Sequence, residues 1–333
     1  MQNKCLYHFL IIYMHKISAQ KIIATTLQIP QDSAEIIVNK ASAGQEFFDN
    51  VSLETWLNER FLPNIVLIDE VGYAKMCIDA LKILKSTAAT DYGSSRQRDL
   101  GQLWGDMTRG YLAEYAFILF LQKKWNIQAE LGHEKGELKD YLPSDIHKIQ
   151  KKLETLREPK IKIGIKGVKW NGIWFDIQGA QFHHSDIHVL VKVGTSRDHL
   201  FAYFKHISVF KDKVLKKGIE LGVLNQKDAD ILFDNLPLFQ SIPAYIAGFV
   251  ISNNQYKNLD YSGKKGRKNF TINTWNGEIK SGDLDSIKKI EKINGKIEFE
   301  GIKKFAHDKG YLFNVGNLLW EKKDWEKFVI NPL

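Results

Sequence analysis

Ile161-Lys162-Ile163-Gly164-Ile165-Lys166-Gly167-Val168-Lys169, followed by Trp170-Asn171-Gly172 and Ile173-Trp174-Phe175-Asp176-Ile177-Gln178, is the stretch whose reading decides the fold. Isoleucines at 161, 163 and 165 alternate with Lys162, Gly164 and Lys166, the two-residue period of a strand. Asn171-Gly172 is a strong hairpin signal, so residues 173–178 are expected to return alongside, with Lys166 opposite Ile177. Residues 187–193 form a nearly continuous apolar run, as expected for the middle of a covered sheet. Upstream, a long helix is expected from Asp99 to about Lys124, and residues 126–131 would start the first strand. The pattern predicts an α/β (α+β) core, a central mixed β-sheet flanked by helices.

Away from this core the periodicity changes. Residues 19–26, 32–41, 52–60 and 71–84 carry apolar side chains at three- and four-residue steps, so residues 1–90 read as a helical N-terminal region punctuated by Pro30 and Pro63. Residues 86–95 are small and polar and read as a linker or ordered loop. The core spans residues 91–215. Residues 216–333 are mixed, with strand-like runs at 244–251 and 270–275 around a basic loop at 257–268.

Composition narrows the function classes. A chain of 333 residues with 44% apolar content can bury a sizeable core. Cys5 and Cys77 are far apart and form no metal-ligand spacing, which points to reduced thiols and a cytoplasmic setting. The apolar run at residues 6–14 is too short to span a bilayer, so no membrane partner is expected, and a signal peptide is the alternative for that run. The net charge of +8 is unevenly spread: residues 1–95 carry −2, residues 96–210 carry +5 and residues 211–333 carry +5. The two later portions suit contact with a polyanion.

Three residue types stand where chemistry is expected. On a helical projection, Glu114 shares a face with Met107, Gly110, Tyr111, Ile118, Leu121 and Trp125, which should enter the core. A carboxylate there persists only with a cation, a metal or hydrogen bonds, and a salt bridge is the plain alternative. Asp145 follows Pro143-Ser144, and Lys166 comes 21 positions later on the alternating strand. Across the expected hairpin Lys166 would sit beside Val168, Phe175 and Ile177, and such partly desolvated surroundings suit an ammonium that positions or deprotonates water. Lys162 and Lys169 are better candidates for snorkelling edge residues.

This ordered set, a helix bearing Glu114, Pro143-Ser144-Asp145, the Gly164-Ile165-Lys166 strand and a hairpin, resembles the PD-(D/E)xK nuclease superfamily. Residues 95–102 and 163–194, the latter with Trp174, Asp176, Gln181 and His184-Ser185-Asp186, are more narrowly similar to type II restriction endonucleases. The likeness covers roughly residues 90–210. It implies a restriction-endonuclease-like core, double-stranded DNA as substrate, Mg²⁺ as cofactor held by Glu114 and Asp145, catalysis by Glu114, Asp145 and Lys166, and 5′-phosphate and 3′-hydroxyl products. It also implies a homodimer within a restriction–modification system, because cutting both strands of a symmetric site calls for two-fold symmetry.

One position departs from the family pattern. The acid expected two residues before the lysine is Gly164 here, which has no side chain to ligate a metal. Glu114 is the preferred replacement. Asp176 is the rival, facing away from Lys166 in a regular hairpin unless a bulge intervenes. His183, His184 and Asp186 suit structural or DNA-backbone roles better than a metal site, and Gln178 and Gln181 either support the site or cap the sheet. In the basic loop, Lys257, Lys264, Lys265, Arg267 and Lys268, interleaved with Tyr256 and Tyr261, fit phosphate contact. Two other function classes remain open. One is a DNA-binding regulator or inactive relative, with residues 19–41 as a helix-turn-helix; the other is a repair or junction nuclease.

Overall fold

The computed structural model describes residues 2–88, 100–132, 144–152, 154–196, 198–252, 259–263, 270–275 and 309–333. Its centre is a mixed four-stranded sheet in the order β1 (Ile65–Ile68), β7 (Ile242–Ile251), β6 (Ile187–Val193), β4 (Ile163–Lys169). β4 and β6 run parallel, and the other pairs are antiparallel. As the apolar run foretold, every residue of β6 is buried. A second, antiparallel sheet has the order β5 (Trp174–Gln178), β10 (Lys309–Asn314), β8 (Leu259–Gly263), β9 (Phe270–Trp275). β2 (Gln128–Leu131) and β3 (Ile146–Gln150) form a separate antiparallel pair. The chain is thus α/β, with both faces of its mixed sheet covered.

Helix α5 (Leu100–Trp125) lies across one face, where Ala113, Ala116, Phe117 and Phe120 pack with Ile163, Val189, Val191, Ile246 and Phe249. α4 (Glu70–Ala88) packs beside α5. The close approach of α5 to β4 depends on a glycine. A Cβ on Gly167 would stand 2.9 Å from the Ala113 Cβ and 3.0 Å from the Arg109 carbonyl oxygen, both too tight. The opposite face is covered by α1 (Gln2–Leu27), α2 (Gln31–Ala43) and α3 (Asn50–Thr55), together with Phe175, Ile177 and Phe313 of the second sheet. An Asp49–Ser52 capping box starts α3, satisfying amides that the first helical turn leaves without partners. α3 then widens into a π-helical turn at Trp56–Phe61 that carries Trp56 and Arg60 into the interior.

Between β5 and β6 lies the short helix α6 (Gly179–Phe182); α7 (Asp198–His206), α8 (Lys216–Glu220) and α9 (Gln226–Asp234) follow β6, and α10 (Lys322–Trp325) follows β10. Among the described residues, no helix is long and apolar enough to cross a membrane. Cys77 is a free, buried thiol.

The structure corrects two expectations for this region. The Asn171-Gly172 turn forms, with the Gly172 amide donating to the Lys169 carbonyl at 2.9 Å. The strand after it does not return beside β4, because β5 leaves for the second sheet, where Ile177 pairs with Tyr311, while Lys166 pairs with Leu190 of β6. A tight turn specifies reversal, but the strand partner is chosen by the surface each face can bury. The first strand is also earlier than expected: β1, only four residues long, precedes α5 and pairs with β7.

A buried ionic cluster fastens these layers. Glu46, between α2 and α3, accepts hydrogen bonds from Lys192 Nζ of β6 at 2.7 Å, Tyr245 OH of β7 at 2.8 Å and Trp56 Nε1 at 2.9 Å. Arg60 approaches the same carboxylate at 4.0 Å and donates to the carbonyls of Ala247 and Val315. Burial pushes the Glu46 carboxyl up, yet the charges of Lys192 and Arg60 and the hydrogen bonds outweigh it and hold the group below the usual range. Removing the anion would strand two buried cations. Glu46→Ala should therefore cost about 3–5 kcal/mol, read as a lower urea midpoint than that of the native protein.

Candidate active site

β4 is an edge strand, and its outward amides at Ile163 and Ile165 are satisfied by side chains. The Ile163 amide donates to Ser144 Oγ at 3.2 Å and the Ile165 amide to Asp145 Oδ2 at 2.5 Å. The Asp145 amide completes the set by donating to the Ile163 carbonyl at 2.8 Å. This explains why Ser144-Asp145 stands immediately before β3: the pair caps the open edge and presents the carboxyl beside Lys166. Pro143 lies outside the described residues.

Glu114 reaches the same place from α5. The buried stripe of α5 is rotated from the one read off the sequence and centres on Ala113, Ala116, Phe117 and Phe120. Glu114 is half-buried at the margin of that stripe. The Gly167 contact that seats α5 against β4 thereby directs it to the sheet edge rather than into the core.

Glu114, Asp145 and Lys166 line one cleft of about 220 Å³. Phe175 and Ile177 of β5 form an apolar wall, and Gln181, His184, Ser185 and His188 form a polar one. Lys166 is exposed at the rim, not desolvated as a neighbouring hairpin strand would have made it. Its apolar neighbours arrive from the second sheet instead. Asp176 is not among the lining residues; it alternates with Phe175 and Ile177 and pairs with Leu312 of β10.

The electrostatics are unfavourable for two ionised acids. Burial pushes the Asp145 carboxyl well above the usual range and the nearby Glu114 charge adds to it, while the Ile165 amide and Lys166 pull it down. Tyr111, on the same helix, is pushed up to about 12 by burial, then by Glu114, Asp79 and Asp145. The two carboxylates are the side chains here that could hold a hard cation. Among the described residues, no three His, Cys, Asp or Glu side chains converge closely enough to hold a metal ion by themselves.

Other residues singled out from the sequence are placed as follows. His183 and His184 follow the short helix α6 rather than an extended segment; His183 Nε2 meets Tyr311 OH at 3.1 Å, and His184 lines the cleft. Asp186 accepts from the Lys162 amide at 2.8 Å. Gln181 lines the cleft and Gln178 pairs with Gly310. Lys257, Lys264, Lys265, Arg267 and Lys268 lie outside the described residues. His188 and Ser185 were not singled out as cleft residues. The available signal for His188 was its interruption, with Lys192, of an otherwise apolar strand.

No family model, curated protein or solved structure matches the chain.

A raised Asp145 carboxyl has a thermodynamic consequence. The folded state keeps this proton at a pH where the unfolded state has released it, so stability falls as pH rises from the ordinary aspartate range through the raised value. Asp145→Asn retains an acceptor for the Ile165 amide but has no proton to lose. In chelator, its thermal midpoint should exceed the native protein's at neutral pH, with the difference shrinking on acidification.

Proposed function

We propose that this chain is a Mg²⁺-dependent type II restriction endonuclease of the PD-(D/E)xK superfamily, hydrolysing double-stranded DNA to 5′-phosphate and 3′-hydroxyl ends in a restriction–modification system. The observation that carries this reading is the convergence of Glu114, Asp145 and Lys166, from a helix, an edge segment and a strand, on one cleft. A helix packed on a mixed sheet whose edge strand bears the lysine also supports a restriction-endonuclease-like core. The absence of an acid at Gly164 is met by Glu114, which lines the cleft, rather than Asp176, which does not.

The donor set fits Mg²⁺. This ion commonly uses one or two carboxylates and completes its shell with water and phosphate oxygens, so Asp145 and Glu114 suffice on the protein side. When bound, it lowers the pKa of water and offsets phosphate charge. The Ile165 amide fixes the Asp145 carboxylate in place before substrate arrives. Lys166, exposed at the rim, supplies a mobile ammonium that binds a phosphate oxygen, orients the attacking water and offsets the negative charge developing on phosphorus. Phe175 and Ile177 keep bulk water from one side. A symmetric DNA site would be met by a homodimer, one cleft per strand.

A regulator built on an α1–α2 helix-turn-helix is less well supported. α2 buries Ala34, Ile37, Val38 and Ala41 and exposes Asp32 and Glu35, which would face phosphate with the wrong sign.

Incubation with plasmid DNA and Mg²⁺ should give discrete fragments whose sequenced ends carry 5′-phosphates. Random degradation or nicking would favour a repair or junction nuclease, and a mobility shift without cleavage a regulator. Asp145→Ala and Lys166→Ala should each lower cleavage by about 100–1,000-fold or more while DNA binding persists. Glu114→Gln should lose metal-dependent cutting and Asp176→Asn should keep it; the reverse result would transfer the second carboxylate role to Asp176.

A further inference from the structure

Gly164 leaves a gap in the acid pattern, and the gap is not empty space. On this strand, a Cβ at position 164 would lie 2.9 Å from His188 Nδ1 and 3.0 Å from Ser185 Oγ. Gly164 and His188 are register partners on the parallel strands β4 and β6, so their side-chain positions share one face. The imidazole therefore occupies the ground into which an acid at 164 would project.

The ring is fixed in orientation and tautomer. His188 is 5% exposed, and its Nε2 lies 3.1 Å from the Phe182 carbonyl oxygen. A carbonyl only accepts, so Nε2 carries the proton and Nδ1 keeps its lone pair. Phe182 also stacks on the imidazole at 5.6 Å and 12°, and Tyr311 stacks on Phe182 at 4.0 Å. Burial pulls the imidazole pKa down, which favours the neutral ring. A neutral histidine held this firmly, with its Nδ1 acceptor beside Gly164 in the lining of a cleft that also contains two carboxylates, is more than a packing residue.

We infer that His188, filling the space beside Gly164 while Glu114 supplies the second carboxylate, supports the cation site through water, its Nδ1 accepting a hydrogen bond from water in the shell of the cation held by Asp145 and Glu114. The inference rests on the cation site of the function proposed above, not on DNA cleavage. An indirect contact agrees with the absence of three directly converging ligands among the described residues. It also suits Mg²⁺, which retains several waters. His188 is thus a positioning residue, acting through water on the ion. Outer partners of this kind commonly account for 10–100-fold in metal affinity.

The test uses Mn²⁺ as the probe, titrated into the full chain without DNA and followed by electron paramagnetic resonance. His188→Gln keeps a donor for the Phe182 carbonyl but lacks an acceptor at the Nδ1 position; it should bind Mn²⁺ about 10–100-fold more weakly. Gly164→Asp combined with His188→Ala makes room for an acid on an ordinary strand backbone and should recover binding relative to His188→Ala alone. Circular dichroism and the unfolding midpoint report folding of each variant. Native-like affinity in folded His188→Gln overturns the inference, as does a folded double variant that binds no better than His188→Ala, or a native protein that binds no Mn²⁺. If the native protein binds Mn²⁺ through His188 but never cuts plasmid, the nuclease reading falls and this inference stands.

Discussion

The Glu46 carboxylate is the point from which the rest of the arrangement hangs. It is buried against Lys192 of β6, Tyr245 of β7 and Trp56, while Arg60 extends the cluster to the Val315 carbonyl just beyond β10. Such a group survives away from water only because each polar neighbour is aimed at it. Two cations face one anion, and the carbonyls of Ala247 and Val315 absorb part of the surplus charge. The consequence reaches the cleft. One wall belongs to β4 in the mixed sheet and the other to β5, whose sheet partner is β10. The cluster that joins the first sheet to the turn after β10 therefore helps set the spacing between the walls.

The edge of β4 shows how a structural need and a chemical one share the same atoms. Backbone amides at a sheet edge require acceptors, and Ser144 and Asp145 provide them without adding a strand. That solution leaves the edge open as a cleft and places the Asp145 carboxyl near Glu114, where burial and like charge oppose its ionisation. A fold optimised for stability alone would exchange one of these acids for a neutral group.

Much of this architecture was legible in the residues. The three- and four-residue apolar steps gave α5, and the unbroken apolar run gave β6, because both signals come from burial along a single element. Partner choice was not legible: Asn171-Gly172 encodes a turn, and nothing local says that Phe175 and Ile177 will pack against the N-terminal helices and pair with β10. β1 escaped because four residues are too few to show a period. Asp145 and Lys166, which line the cleft, were singled out by the alternation around Lys166 and by a resemblance to a nuclease superfamily, from which the glycine at 164 departs. What fills its space was invisible, since the contact depends on the parallel register of β4 with β6.

The distance along the chain between β5 and β10 bears on biosynthesis. β4, β6 and α5 lie within about one hundred consecutive residues and can associate before the later strands are made. The strand partner of β5, residues 309–314, is made much later. Until it emerges, the sheet edge of Phe175 and Ile177 lacks its ladder, and the Phe182–Tyr311 stack that clamps the imidazole is absent. A nascent chain can thus hold its acids and lysine well before it holds a finished cleft, which delays assembly of the cleft until β10 has left the ribosome.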